Sequence, residues 1–279
     1  MNSFQNVIKW LQSDGRHFQI ISQVSFLIYG IFFLNWDQNW LNYLAVFSGV
    51  LLAQSIAIYK LKLPWSALKS AFITGLGLSL LLRANHPGIF FFAGLISIGQ
   101  KFFIRVNGKH LWNPANFGII LSIILSGNAW FSPGQWGSQA FFVLISSTGG
   151  FTVLSKVKRM ETGLVFLVTT GILEWFRTVT YLGWNYEVWM HKMTNGALFL
   201  FAFFMITDPM TSPSRSSVRM IWAALVACVT FYLVNFHYMY SAVQWVLFVF
   251  TPLTPFIDRL FKAKKFEWHS KLPTVISPK

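Results

Sequence analysis

Two short polar stretches interrupt a mostly apolar chain, and they hold the side chains best suited to chemistry. The first, GKHLWNPANFG at 108–118, carries His110, Asn113 and Asn116 at intervals of three. The second, TDPMTSP at 207–213, carries Thr207, Asp208 and Thr211, with Ser212 beside them. Each adjoins a long apolar run. Amides at such a depth find few partners, so they meet each other, a water or a ligand. Paired amide donors and acceptors suit the imide and carbonyl edge of a planar heterocycle, or a quinone. Trp112 and Phe117 are adjacent rings on which such a ligand could pack. Asp208 has two readings: a carboxylate that orients a ligand or handles a cation or proton, or half of a surface pair with Arg215 or Arg219. His110, Asn113, Asn116, Thr207, Asp208 and Thr211 are therefore the candidate binding residues. No catalytic residue is assigned. No histidine cluster has metal-ligand spacing, no loop cradles phosphate, and no serine has a plausible base.

The local signals say how these residues are placed. Pro114 suits the first turn of a helix, where its missing N–H costs nothing. Asn113 before it is a good cap. A helix extended back through 110 would put His110, Asn113 and Asn116 on neighbouring faces, at its positive end. Pro209 and Pro213 end the helix that leads into the second stretch.

The rest of the chain must bring both stretches to one place. It has 279 residues, 54% hydrophobic and only 11% charged, against about 25% charged in an average soluble domain. Apolar runs recur near 18–34, 41–59, 68–83, 88–104, 114–131, 139–155, 163–178, 194–206, 218–236 and 241–257. Most are long enough to cross a hydrocarbon core of about 30 Å. They are continuous rather than alternating, which excludes a transmembrane barrel. The expected fold is an all-α membrane protein of ten spans in a single domain, 1–261, with a basic tail, 262–279.

Charge supports that count. With both termini cytoplasmic, 19 of the 22 basic residues fall on the inner side, as the positive-inside rule requires. Only Arg83, Arg177 and Lys192 fall outside. One missed span would invert every later loop. The net charge of +14 therefore reflects topology, and no nucleic-acid partner is expected. A bacterial inner membrane is the expected location, with membrane lipid as a partner and the tail lying against anionic headgroups. Ten spans also divide into two inverted halves of five, an arrangement that places a site near the midplane. No residue-level repeat between the halves is visible.

Other features have plainer readings. Trp36, Trp40, Trp65, Trp130, Trp136, Trp184 and Trp189 sit at span ends as headgroup anchors. Glu174 and Arg177 are three apart and pair on one helix face. Lys101 snorkels from a span end. Ser146–Gly150 forms a small-residue helix contact. Cys228 is a small core residue, and one thiol cannot hold an iron–sulfur cluster. The segment 179–193 forms a short interfacial helix. No haem ligand set is evident.

Lys101 through Gly118, with NPA at Asn113–Ala115, followed downstream by MITDPMTS at 205–212, resembles the NqrB/RnfD family. Its members are membrane subunits of the sodium-pumping NADH:quinone oxidoreductase and of the Rnf electron-transport complex. The resemblance implies a channel-like inverted-repeat fold, flavin binding, and electron transfer coupled to movement of sodium or protons with other redox subunits. It places Asn113 in a non-covalent riboflavin site, with a quinone nearby in one branch, and matches Thr207 and Asp208 to the second motif. His110 stands where the family often has an earlier asparagine. The family also attaches FMN through a threonine in the loop after the NPA-bearing span. That loop here, NAWFSPGQWGSQ at 128–139, has no threonine, and Thr148 and Thr152 lie in the next span. The expectation is a short, divergent oxidoreductase subunit, not catalytic alone, holding riboflavin, FMN or quinone without a covalent bond. The competing expectation is a non-redox transporter or channel for a cation or small solute.

Overall fold

The computed structural model describes residues 14–36, 39–132 and 159–264. Over these the chain is mostly helical. Helix α1 (Gly15–Phe32) is capped by Asp14, which accepts from the Arg16 amide. Asn39 caps α2 (Trp40–Leu61). A 3-10 turn at Trp65–Ala67 leads into α3 (Leu68–Leu81). His86 caps α4 (Pro87–Phe103). Asn113 caps α5 (Pro114–Ser126) by accepting from the Asn116 amide, with Pro114 in the first turn as expected. Helix α6 (Met160–Trp175) continues as a π-helical stretch, Phe176–Tyr181. Helix α7 (Tyr186–Met193) is the short helix expected in that connection. Helix α8 (Gly196–Leu200) likewise continues as a π-helical stretch, Phe201–Met205. Next comes α9 (Ser216–His237). Helices α10 (Ala242–Phe250) and α11 (Thr254–Leu260) are joined by a 3-10 turn.

Nine of the ten expected spans fall among the described residues, and each coincides with helical structure. The sixth, 139–155, lies outside them, as do Trp136, Ser146–Gly150, most of the loop 128–139, and the tail from 265. Among the described residues three helical segments suffice by length and composition to cross a membrane: Trp40–Leu61, Met160–Tyr181 and Ser216–His237. The protein is a helical membrane protein. The fifth run, read to 131, stops as a helix at Ser126. Gly127 turns left-handed there (φ 62°), and strand β4 (Ala129–Phe131) pairs antiparallel with β1 (Leu82–Ala84). A second ribbon joins β2 (Arg105–Val106) to β3 (Lys109–His110) at the other end of the bundle. The helix therefore does not extend back to His110. That residue sits on a strand, and the helical continuation that would have put His110, Asn113 and Asn116 on neighbouring faces does not form.

Packing is closest where glycines let backbones meet. Helix α2 lies against α4 more extensively than any other pair. A Cβ on Gly49 would stand 2.2 Å from the Phe91 carbonyl oxygen, and one on Gly94 would stand 2.6 Å from that of Val46. Small residues allow such contact where lipid removes the hydrophobic drive between helices. Helix α4 then carries α5, α9 lies on α6, and α10 packs against both α9 and α5.

Three smaller expectations are corrected. Cys228 is exposed on α9, not in the core. Trp36 is buried, with the Arg83 guanidinium 5.2 Å from its ring, whereas Trp40, Trp65 and Trp184 are exposed as headgroup anchors would be. Glu174 and Arg177 do not pair. Glu174 takes Lys192 at 2.7 Å and the Asn235 amide at 2.6 Å, while Arg177 donates to Asn235 Oδ1 at 3.1 Å. The neighbour three residues away lost to partners on other helices.

Candidate functional site

The two polar stretches meet. Asn113 Nδ2 donates to Asp208 Oδ2 at 3.2 Å. His110 Nε2 stands 3.7 Å from the same oxygen, too far for a hydrogen bond. Asp208 Oδ1 accepts from the Met210 amide at 2.9 Å, the turn geometry that aspartate favours. The partners expected at the surface, Arg215 and Arg219, are not the ones it uses.

Local chemistry explains the approach. Pro209 cannot continue a helix, and the chain reaches it through a π-helical stretch, a rare form that is frequent at functional sites. The turn is then gripped from outside. Lys109 Nζ donates to the Ser212 carbonyl, to Ser214 Oγ and to Asp258 Oδ2. Arg159 donates to the Pro213 carbonyl at 2.8 Å. Arg219 donates to the Pro213 and Ser214 carbonyls at 3.0 Å each and pairs with Glu161. Three buried cations thus hold one irregular loop. Burial pushes Asp258 up, but hydrogen bonds from the Ser214 amide and Lys109 bring it below its ordinary value.

A cavity of about 320 Å³ opens beside Asn113 and Asp208, within the size range of small-molecule sites. Its wall takes Gln23 from α1, Gln54 from α2, Ser70 and Thr74 from α3, and Lys101 from α4. His110, Asn113, Thr207 and Asp208 complete the polar part, and Phe102, Phe203 and Phe204 supply apolar surface. Gln23 Oε1, Gln54 Oε1 and His110 Nε2 are buried without hydrogen-bond partners among the described residues. Unsatisfied groups of this kind are costly, and a ligand would satisfy them. Lys101 is buried, with Nζ on Ser70 Oγ at 2.7 Å. It does not snorkel.

Of the six candidates, His110, Asn113, Thr207 and Asp208 line this cavity. Thr207 spends its hydroxyl on the Phe203 carbonyl at 2.7 Å, so only its remaining surface is free for contact. Asn116 is elsewhere. Its Nδ2 donates to the Gln244 carbonyl at 2.9 Å and to Gln244 Oε1 at 2.6 Å, which ties α5 to α10. Thr211 is buried outside the cavity lining. Trp112 and Phe117 also turn away and pack on Phe248, with the Trp112 indole donating to its carbonyl at 2.8 Å. Gln23 and Ser70 were the residues missed, while Gln54 and Lys101 read from the sequence only as polar groups in or at span ends. Their one sequence signal was polarity inside or beside an apolar run.

The carboxylate at the centre sets a pH dependence. Burial pushes Asp208 up, but His110, the Met210 amide and the charge of Lys101 outweigh it, so its value is lowered from the ordinary 3.8. A depressed acid contributes stability that is fully present above its unfolded value and is lost as pH falls through the lower folded one. Lowering pH from 6 to 3 is therefore expected to reduce the thermal midpoint of the native protein more than that of Asp208→Asn. Equal losses in the two would remove Asp208 as the source.

Comparison with known proteins follows the same lines. The family model described as "NQR2, RnfD, RnfE family" matches residues 124–267, just over half of the chain. That range holds the second polar stretch and begins after the first. A subunit of the ion-translocating oxidoreductase complex of Haemophilus influenzae is 26% identical over 141 residues, covering 50% of this chain and 38% of that protein. The equivalent, identically named protein of Stutzerimonas stutzeri is 29% identical over 155 residues, covering 53% and 42% respectively. The chain thus spans about two fifths of the length of either relative.

Proposed function

The chain belongs to the NQR2, RnfD, RnfE family, and on that premise we propose that it is a membrane subunit of an electron-transport system which binds a flavin or quinone without a covalent bond. The relatives are named as subunits of an ion-translocating oxidoreductase complex. Redox partners and coupling to sodium or proton movement come with this reading. So does an arrangement of ten spans with both termini on the inner side of a bacterial inner membrane. The cavity beside Asn113 and Asp208 is the observation that carries the proposal. Its unpartnered Gln23, Gln54 and His110 atoms fit a planar ring edged with carbonyl and imide groups, and Phe102, Phe203 and Phe204 give that ring an apolar surface.

Either group supplies reversible electron acceptance when bound. The residues here bind it, orient it and keep water out. Asn113 presents an amide whose direction is held by Asp208. Lys101 places positive charge where an acceptor gains electron density, which favours the reduced state electrostatically.

The decisive measurement is the absorption spectrum of the protein purified in detergent and then supplied with riboflavin or a short-chain quinone. Stoichiometric retention of one of them, weakened at least tenfold in Asn113→Ala, is expected. A correctly folded protein that retains neither would overturn the assignment. Mass spectrometry is expected to show no FMN attached to the chain.

A further inference from the structure

Strand β3 has two faces, because successive residues of a strand point opposite ways. His110 faces the cavity described above. Lys109 faces a second pocket of about 260 Å³ between the β2–β3 turn and α11. Its base is a closed network: Lys109 Nζ bonds Asp258 Oδ2 at 2.9 Å, and Asp258 Oδ1 accepts from the Ser214 amide at 2.8 Å. Lys109 has three acceptors for three protons, so neither it nor Asp258 is available to a ligand.

The rim differs. Arg259, in the last turn of α11, and Lys262, just beyond its end, both line the pocket. Both are exposed, and among the described residues no carboxylate lies within ion-pair distance of either. Asn107 faces them from the turn. Phe256, over whose ring the Arg259 guanidinium lies at 5.8 Å, is exposed, as are Leu260 and Phe261 beside it, at 62%, 78% and 44% in that order. Positive charge with no carboxylate against it among the described residues thus stands above a neutral polar floor, beside a strip of exposed apolar side chains. Exposed Lys60 and Lys62 end α2 at the same end of the bundle, the end at which the basic residues cluster.

We propose that this pocket is a binding site for the phosphate headgroup of an anionic phospholipid. Arg259 and Lys262 hold the phosphate, and an acyl chain lies along Phe256 and Leu260. Charge complementarity selects an anionic head over a zwitterionic one, and the apolar strip selects a lipid over a free anion. Basic pockets between helices at the cytoplasmic face bind such headgroups. The lipid would brace the outer side of the strand whose inner side carries His110.

The test is native mass spectrometry of the full chain in neutral detergent, titrated with phosphatidylglycerol or with phosphatidylcholine. Preference for phosphatidylglycerol of tenfold or more is expected. Arg259→Gln/Lys262→Gln should lose about 25-fold in affinity for it, from two basic contacts at about a factor of five each. Each single variant should lose about fivefold, which guards against a folding defect in the double. Lys60→Gln/Lys62→Gln removes the same charge from the same end but outside the pocket, and its affinity should stay within twofold. An equal loss in both double variants would mean general surface attraction and overturn the site. No preference between the lipids would overturn it too. Binding of 10 mM inorganic phosphate with no retention of phosphatidylglycerol would show a free-anion site and overturn the lipid assignment.

Discussion

Asp208→Ala is expected to reduce ring-ligand retention at least 100-fold and to destabilise the protein by about 3–5 kcal/mol. The stability cost is that of removing one partner from a buried polar or charged set while leaving the rest in place. Asn113 Nδ2 loses its acceptor at 3.2 Å, the Met210 amide loses one at 2.9 Å, and His110 loses the oxygen 3.7 Å away. Buried Lys101 is left with the Ser70 hydroxyl and, among the described residues, loses the carboxylate that acts on it. Binding suffers further because the Asn113 side chain is then held, among the described residues, only by its cap bond from the Asn116 amide. Asp208→Asn separates the effects. Its carbonyl can still accept from Met210, so the turn survives, but the charge beside Lys101 and His110 is gone. Intermediate stability is expected, with binding still weakened at least tenfold. Absorbance of the retained ring and thermal unfolding in detergent read the two quantities. If Asp208→Ala retained ligand as tightly as the native chain, the cavity beside it would not be the binding site.

The meeting of residues 95 apart in sequence was legible for a physical reason. Two polar stretches at the same end of apolar runs have few partners except one another, and charge placed them on the same side. The cap at Asn113 was legible because asparagine followed by proline is a local signal. The neighbourhood of His110 was not. A spacing of three implies a helix only if the helix exists there, and Gly108, at φ +83°, bends the chain into a ribbon instead. Lys101 was misplaced for a different reason. A lysine at a span end usually reaches for water, and only the fold shows Ser70 waiting for it on α3. Asn116 looked like a ligand amide because its true partner, Gln244, lies 128 residues away in a run that reads as apolar. In each case the error was one of direction: residue type showed that a polar group needed a partner, and tertiary packing decided which one.

The same logic gives the outer grip on the second stretch a measurable weight. Arg219→Ala is expected to cost about 3–5 kcal/mol, as removal of one member of a buried ionic network does, and to abolish ligand retention from a distance. Arg219 is 4% exposed. Its Nε donates to Thr162 Oγ1 at 2.9 Å, one terminal nitrogen serves the Pro213 and Ser214 carbonyls, and the other pairs with Glu161. These four acceptors need a planar fork. An ammonium has three protons and no such plane, so Arg219→Lys should recover less than half of the loss. Arg159, bonded to the Pro213 carbonyl from α6's start, cannot compensate, because with Arg219 gone the Ser214 carbonyl and Glu161 are left without it. Release of 213–214 then frees the turn whose other end carries Asp208, while His110 and Asn113 stay on β3 and α5. Chemical unfolding in mixed micelles measures the stability, and ring absorbance measures the site. A lysine variant as stable as the native chain would show that charge alone holds this loop. An alanine variant that unfolds more easily yet retains ligand fully would show that the grip stabilises the bundle without positioning Asp208.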